Sequence, residues 1–292
     1  MSTIWQKGEK TVIVTGGTKG IGYETASGLA ARGATVIIVG RDAQRGAAAV
    51  NRIQQHTGNA AISFLQADLS SLAEVRRLAE QITSQYSHIH VLVNNAGGVN
   101  ARRIVTAEGL EATFVTNHLA PFLLTDLLLP ILKASTPARI VNVNSIQHRS
   151  GRIDFDDLQA ERAYDMMCAY QQAKLANLFF TYELARRLRG TNVTVNAADP
   201  GGTIEGVKAV PLPLAVRLIL PLFSPWLTAS HAAQSSLYLA SSPDVEALMG
   251  KYVNFRKKVV RSSPVSYEEA TAEKLWRISA ALVDLRGEEL VS

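Results

Sequence analysis

Tyr170 and Lys174 stand four residues apart in a run, 163–189, that reads as helix. That spacing puts both side chains on one face, with Cβ atoms about 5–6 Å apart. A free phenol titrates near ~10, too high for easy proton exchange at neutral pH, and a neighbouring ammonium favours its anion. The pair therefore has the composition of a tuned proton donor and acceptor. Standing alone, it would more often be a solvated surface pair. Ser145 adds a second group, since it follows an apolar strand at 139–143, at the end where open α/β sheets bind ligands. Its hydroxyl suits hydrogen-bonding to an oxygen that gains negative charge during a reaction. Asn144 and Ser145 also suit an ordinary turn.

A second constellation points to phosphate. Thr15-Gly16-Gly17-Thr18-Lys19-Gly20-Ile21-Gly22 joins a first strand to a first helix, with glycines spaced G-x-x-x-G-x-G. Gly16 permits a tight turn, Gly20 a close backbone approach to a pyrophosphate, and Gly22 close packing of the helix on the sheet. The helix N-terminus then offers free N–H groups to the anion. The end of the second strand discriminates between dinucleotides. An acidic residue there binds a ribose 2′-OH, but this chain has Gly40-Arg41, with Lys19 in the first turn and Asp42 one position late. Two cations favour a 2′-phosphate, so NADP(H) is favoured over NAD(H). Arg41-Asp42 as a surface pair opening the next helix is the plainer alternative.

The elements that must hold these groups alternate. Strands are expected at 11–15, 35–39, 60–65, 89–93, 139–143, 193–197 and 252–255. Between them come helices from about 43 to a stop at Gly58, over 72–86, over 108–133 with a bend near Pro121, over 163–189 and over 229–240. Short, continuously apolar strands read as buried on both faces. The expected fold is α/β, a single-domain Rossmann-type doubly wound parallel sheet with helices on both faces. No repeat or linker divides residues 1–292.

The 292 residues carry a net charge of +5 and one cysteine, Cys168, so no internal disulfide is available. The basic residues are scattered in short pairs such as Arg76-Arg77 and Lys257-Lys258, which argues against a nucleic-acid face. His118, His148 and His231 lack metal-ligand spacing, so no metal is expected, and His148, near Ser145, favours a structural role. The polar start lacks a signal-peptide pattern. The most apolar segment, 210–227, is broken by Pro211, Pro213, Pro221 and Pro225 and suits a flap at about 202–228 better than a membrane span. A cytoplasmic location without membrane contact is the resulting expectation.

The chain resembles the short-chain dehydrogenases/reductases, most of all their retinol-dehydrogenase-like branch. The resemblance rests on the glycine turn, Asp68-Leu69, Asn94-Asn95-Ala96-Gly97, Asn117, Ser145, Tyr170-x-x-x-Lys174 and Pro200-Gly201, in that order. It implies hydride transfer between NADP(H) and a carbonyl or alcohol carbon, with Tyr170 as acid/base and Ser145 holding the substrate oxygen. Lys174 would also hold the nicotinamide ribose, and Asn117 a proton-relay water. Asp68 and Leu69 would meet the adenine, with Asn95, Ala96 and Gly97 beside its ribose. Pro200, Gly201 and Thr203 would pass over the nicotinamide. Asp199 and Glu205 depart from the family pattern. The apolar flap implies a lipophilic substrate, or else packing against the body or a second subunit; members of this family often form homo-oligomers. Alternatives are a non-catalytic NADP(H)-binding sensor or interaction protein, a reductase of activated C=C bonds, and a flap that dips into lipid.

Overall fold

β-branched runs set the sheet. Val12, Ile13 and Val14 in β1 (Thr11–Thr15) and residues 36–39 in β2 (Thr35–Gly40) are fully buried, as strands covered on both faces must be. β3 (Ile62–Gln66), β4 (Val91–Asn94), β5 (Ala138–Val143), β6 (Val193–Ala198), β7 (Tyr252–Val253) and β8 (Val259–Val260) complete one sheet of order β3-β2-β1-β4-β5-β6-β7-β8. The first seven run parallel and β8 returns antiparallel to β7. The computed structural model describes residues 10–202 and 228–285. The expected flap and Thr203 therefore lie outside the described residues.

Alternation along the strands feeds two helical layers. Val12, Val14, Val36 and Ile38 pack with residues of α1 (Gly20–Ala30), α2 (Ala43–Thr57) and α8 (Gln234–Ser241). Ile13, Ile37 and Leu92 pack with α3 (Leu72–Gln85), α5 (Ala120–Ala134), α6 (Met166–Arg187) and α9 (Glu269–Leu282). The strand order reverses between β1 and β4, which opens a crevice at their carboxyl ends. Local signals set the helix ends. Asp42 accepts from the Arg45 N–H at 3.0 Å to cap α2, and Gly58 ends it in the left-handed region at φ 71°.

Several boundaries differ from the sequence reading. The helix expected from residue 108 begins at Ala112 as α4 (Ala112–Phe114), because Glu111 is its cap and accepts from Thr113 and Phe114 N–H groups at 2.8 Å each. Glu108 instead accepts from the Leu72 N–H at 2.7 Å, at the start of α3. The irregularity is a π turn at Val115–Leu119, just before Pro121, rather than a bend at the proline. The helix expected from 163 starts at Met166, where Asp165 accepts from the Cys168 N–H at 2.7 Å. The 229–240 helix is two pieces, α7 (Ala229–Ala232) and α8. β7 is two residues long, and its hairpin to β8 was not expected.

The closing helix α9 locks onto the π turn and α6. Trp276 packs against Phe122 at 4.8 Å and Phe180 at 5.9 Å between ring centroids. Among the described residues, Ala112–Ala134 is long and apolar enough to cross a membrane, with mean hydropathy 1.4, yet most of that stretch is buried inside the fold.

Candidate active site

β1 ends in the glycine turn, and the turn is built for close approach. Gly16 has φ 65°, and a Cβ there would lie 3.0 Å from both the Ala96 Cα and the Asn95 amide nitrogen. A Cβ on Gly22 would overlap the Gly16 carbonyl and the Asn95 amide, so this glycine seats α1 on the turn itself. Gly20, at φ 55°, faces open space. Lys19 is the N-cap residue of α1 and makes no side-chain cap bond. The first turn of α1 therefore presents backbone N–H groups with no side-chain cap, beside a glycine that leaves room for a ligand. That arrangement fits a pyrophosphate. Gly17 and Gly40, which the sequence reading gave no role, are equally constrained: a Cβ would lie 2.7 Å from Ile38 and 2.8 Å from Thr18.

Lys19 and Arg41 are exposed, and among the described residues neither side chain makes an ion pair or hydrogen bond. Asp42 is committed to Arg45, by the cap bond and an ion pair at 3.0 Å. Thr18 and Ile21 are half-buried in the same turn. Asp68 accepts from the N–H and hydroxyl of Ser70 at 2.9 and 2.8 Å, while Leu69 is buried in the core. Asn95 bonds inward: its amide donates to the Thr15 carbonyl at 2.8 Å, and its N–H to Thr15 Oγ1 at 2.9 Å. The Ala96 N–H joins the same hydroxyl at 3.0 Å. Asn95 and Ala96 thus clamp the end of β4 to the glycine turn, and Thr15 is the partner the sequence reading missed.

At the other end of the crevice lie the candidate reacting groups. Tyr170 and Lys174 lie on α6, and Ser145 caps a short 3-10 turn after β5. The Ser145 hydroxyl accepts from the Gln147 N–H at 3.3 Å and lies near enough to the Tyr170 phenol to pull its pKa down. Lys174 is buried, with Nζ 5.6 Å from the Tyr170 ring centroid and donating to the Val143 carbonyl at 3.0 Å. Gly97 is pressed against this group: a Cβ there would lie 2.5 Å from Asn117 Oδ1 and 3.4 Å from Lys174 Nζ. Asn117 sits in the π turn. Its Oδ1 accepts from the Gly98 N–H at 3.2 Å, and its Nδ2 donates to the Gly98 and Thr113 carbonyls at 2.8 Å each.

The electrostatics overturn one expectation. Burial pushes Tyr170 above the usual phenol value, the Ser145 hydroxyl pulls it down, and the Asp199 carboxylate raises it further. The anticipated depression by Lys174 is absent from this balance. Burial has instead weakened the ammonium, bringing Lys174 down to about 8. Asp199, buried, accepts from the Gly201 N–H at 2.9 Å. Gly201, after Pro200, holds φ 72° against Phe255. His148 receives the Ser263 N–H on Nε2 at 3.1 Å, which leaves Nδ1 to donate to the Ser145 carbonyl at 2.7 Å. Both ring nitrogens therefore hold backbone in place.

Two more residues surfaced only in three dimensions. Asn144 reaches from β5 to the Lys174 carbonyl, and Asn177, seven residues after Tyr170 on α6, reaches the Asn117 carbonyl. The i, i+4, i+7 pattern of Tyr170, Lys174 and Asn177 was the available signal.

Residues 10–208 match the family model described as short chain dehydrogenase. The chain belongs to the short-chain dehydrogenase family. Retinol dehydrogenase 12 of Bos taurus is 43% identical over 280 residues, 96% of this chain and 88% of that protein. Retinol dehydrogenase 14 of Homo sapiens is 40% identical, over 94% of this chain and 87% of its own length. An uncharacterized protein from Mycobacterium paratuberculosis has the same fold, with a TM-score of 0.77 and 34% identity over 94% of this chain and 93% of that one. The Pseudomonas aeruginosa RhlG/NADP active-site complex matches with a TM-score of 0.66 and 26% identity, over 87% and 97%. Within the family this dehydrogenase is retinol-dehydrogenase-like, a hydride-transfer oxidoreductase of small-molecule alcohols or carbonyls that uses a nicotinamide cofactor.

Proposed function

We propose that this dehydrogenase is a single-domain NADP(H)-dependent carbonyl reductase and alcohol dehydrogenase for lipophilic substrates, with Tyr170 as its acid/base. The observation that carries the reading is Lys174 Nζ 5.6 Å from the Tyr170 ring centroid on one helix face, with the Ser145 hydroxyl near enough to pull the phenol's pKa down. A nicotinamide bound along the crevice supplies or accepts the hydride. The glycine turn and the N-terminus of α1 would hold its pyrophosphate, Lys174 and the Asn95–Gly97 strand end its ribose portions, and Pro200-Gly201 its ring end.

The chain's own groups manage the proton. Ser145 Oγ already accepts from the Gln147 N–H, which leaves its own proton for the substrate oxygen. Tyr170 would address the same oxygen and, with its pKa raised by burial, keeps its proton at neutral pH, the state a donor in carbonyl reduction needs. In the reverse direction it must lose that proton first. Two donors converging on one oxygen stabilise the negative charge that builds there.

The dinucleotide preference follows from the free cations Lys19 and Arg41 and from Asp42 being committed to its cap. A 2′-phosphate would meet two positive side chains, and a ribose diol would find Asp42 already committed to Arg45. NADP in the Pseudomonas relative supports the same choice. A lipophilic substrate is supported by Ile146, 47% exposed next to Ser145, and by Phe255, 38% exposed against Gly201; the retinol dehydrogenases among the relatives act by name on such an alcohol.

Turnover of an aldehyde and ketone panel with NADPH and with NADH tests the reading. NADPH is expected to be preferred, and Arg41→Ala to lose about 1–2 kcal/mol of that preference through the cofactor KM. Long-chain substrates should outperform small polar ones. A panel without turnover, or NADH preferred by the wild type, overturns it.

A further inference from the structure

The candidate residues sit on three separate pieces of chain, and buried amides hold the pieces in register. Asn144, at 2% exposure after β5, donates from Nδ2 to the Lys174 carbonyl at 3.0 Å and to Asn177 Oδ1 at 3.1 Å. Its Oδ1 accepts from the Ser145 N–H at 2.8 Å. Asn177, at 1% exposure, extends the connection by donating from Nδ2 to the Asn117 carbonyl at 3.1 Å. The residue four positions on from Asn117 is Pro121, which has no N–H, so no α-type bond reaches that carbonyl.

A second amide chain nearby offers a comparison. Asn94 donates to Thr125 Oγ1 at 3.0 Å and to Asn142 Oδ1 at 2.8 Å, and Asn142 donates to Thr181 Oγ1 at 2.9 Å. Every one of those bonds joins side chain to side chain. The Asn144–Asn177 chain instead grips main-chain atoms of Ser145, Lys174 and Asn117, so any slack in it moves the backbone that carries a reacting group.

We propose that Asn144 and Asn177 are positioning residues, an amide brace that fixes Ser145 and Lys174 against the Asn117 turn and so sets the turnover rate. The inference rests on the reading of Ser145, Tyr170 and Lys174 as the reacting set. A side chain held by two or three buried bonds has one rotamer available, and the brace transmits that rigidity to three pieces of chain at once. Removing it leaves the crevice, the glycine turn and the cofactor cations in place.

The test compares Asn177→Leu and Asn144→Ala with Thr125→Val, which cuts the second amide chain. Thermal unfolding, NADPH affinity by fluorescence titration, and kcat and KM are read for each. All three variants should unfold at lower temperature. Only the two brace variants should lose kcat, by about 10- to 100-fold, with NADPH affinity changed by no more than about 3-fold. A readout without cofactor accompanies these: trace acetic anhydride labelling of Lys174, followed by peptide mass spectrometry across pH. Its amine, held at about 8 by burial, should shift toward its ordinary 10.5 in Asn144→Ala as the loosened turn lets water reach it. The brace is refuted if a folded Asn144→Ala keeps both kcat and the labelling midpoint of the wild type, or if Thr125→Val loses kcat equally. If Asn177→Leu does not fold, Asn144→Ala decides alone. A wild type that turned over no carbonyl would remove the reading of the site, while the labelling midpoint would still decide the brace.

Discussion

Tyr170 keeps its proton because it is buried and beside Asp199, and Lys174 keeps its charge only weakly because it is buried too. The two effects give the reduction a one-sided pH dependence. Reduction needs the phenol protonated and the ammonium charged; both conditions hold at low pH and the second fails as pH rises through about 8. We expect kcat/KM for carbonyl reduction to be flat through neutrality and to fall above about 8, whereas oxidation, which needs the phenolate, should rise with pH. A reduction profile that climbs from pH 7 to 9 would contradict the assignment. At this scale the sequence was legible where one spacing rule sufficed. Tyr170 and Lys174 follow from i, i+4, and Ser145 from its strand end. Asn144 and Asn177 were not legible, since an amide at a strand end reads as a turn former and its partner lies on another element. Lys174's effect on Tyr170 was misjudged because burial acts on both groups and cannot be weighed from sequence.

At the scale of elements, the glycine turn separates two kinds of constraint. Gly20 combines a left-handed φ of 55° with open space, while a Cβ on Gly22 would overlap the Gly16 carbonyl and the Asn95 amide. Gly20→Ala should therefore fold with a loss of about 1–2 kcal/mol from backbone strain, and should bind NADPH much more weakly because its methyl enters the phosphate approach. Gly22→Ala should lose stability and cofactor together, as α1 is levered off the turn. Denaturant unfolding and NADPH titration on both variants check this, and wild-type NADPH affinity in Gly20→Ala would count against the phosphate cradle. The sequence disclosed this turn because its glycines sit between a strand and a helix. It concealed the start of α4, where Glu108-Gly109 imitates a helix start that Glu111 provides. The π turn was hidden as well, because one of its carbonyls, that of Asn117, is satisfied by Asn177 on α6.

The whole molecule is a sheet whose alternate residues feed two helical layers, closed on one side by α9. The doubly wound sheet was readable from short, continuously apolar strands, whereas β8, two residues long, is recognised by its pairing with β7. The closure of α9 places His118 in a buried aromatic cluster with Nε2 against Ser279 Oγ at 2.7 Å. Burial holds its pKa at about 3, and that of His90 at about 4, well below the ordinary 6.5. The unfolded chain therefore takes up protons first, and stability should fall as pH drops through the window from about 6.5 toward 3. Urea unfolding at pH 7, 6, 5 and 4 should show that decline, with a shallower slope in His118→Gln. Equal slopes in the two proteins would remove His118 from the cause.

Hydride transfer at the Ser145–Tyr170–Lys174 group is most directly tested by following the label from NADPH deuterated at C4 of the nicotinamide into the product of a lipophilic aldehyde. Both C4 epimers of the cofactor are used in turn. One epimer should place a single deuterium on the carbinol carbon of every product molecule, and Tyr170→Phe should slow that transfer by about 100- to 10,000-fold while still binding NADPH. Product alcohol free of label from both epimers, or label delivered at the wild-type rate by Tyr170→Phe, would contradict the account.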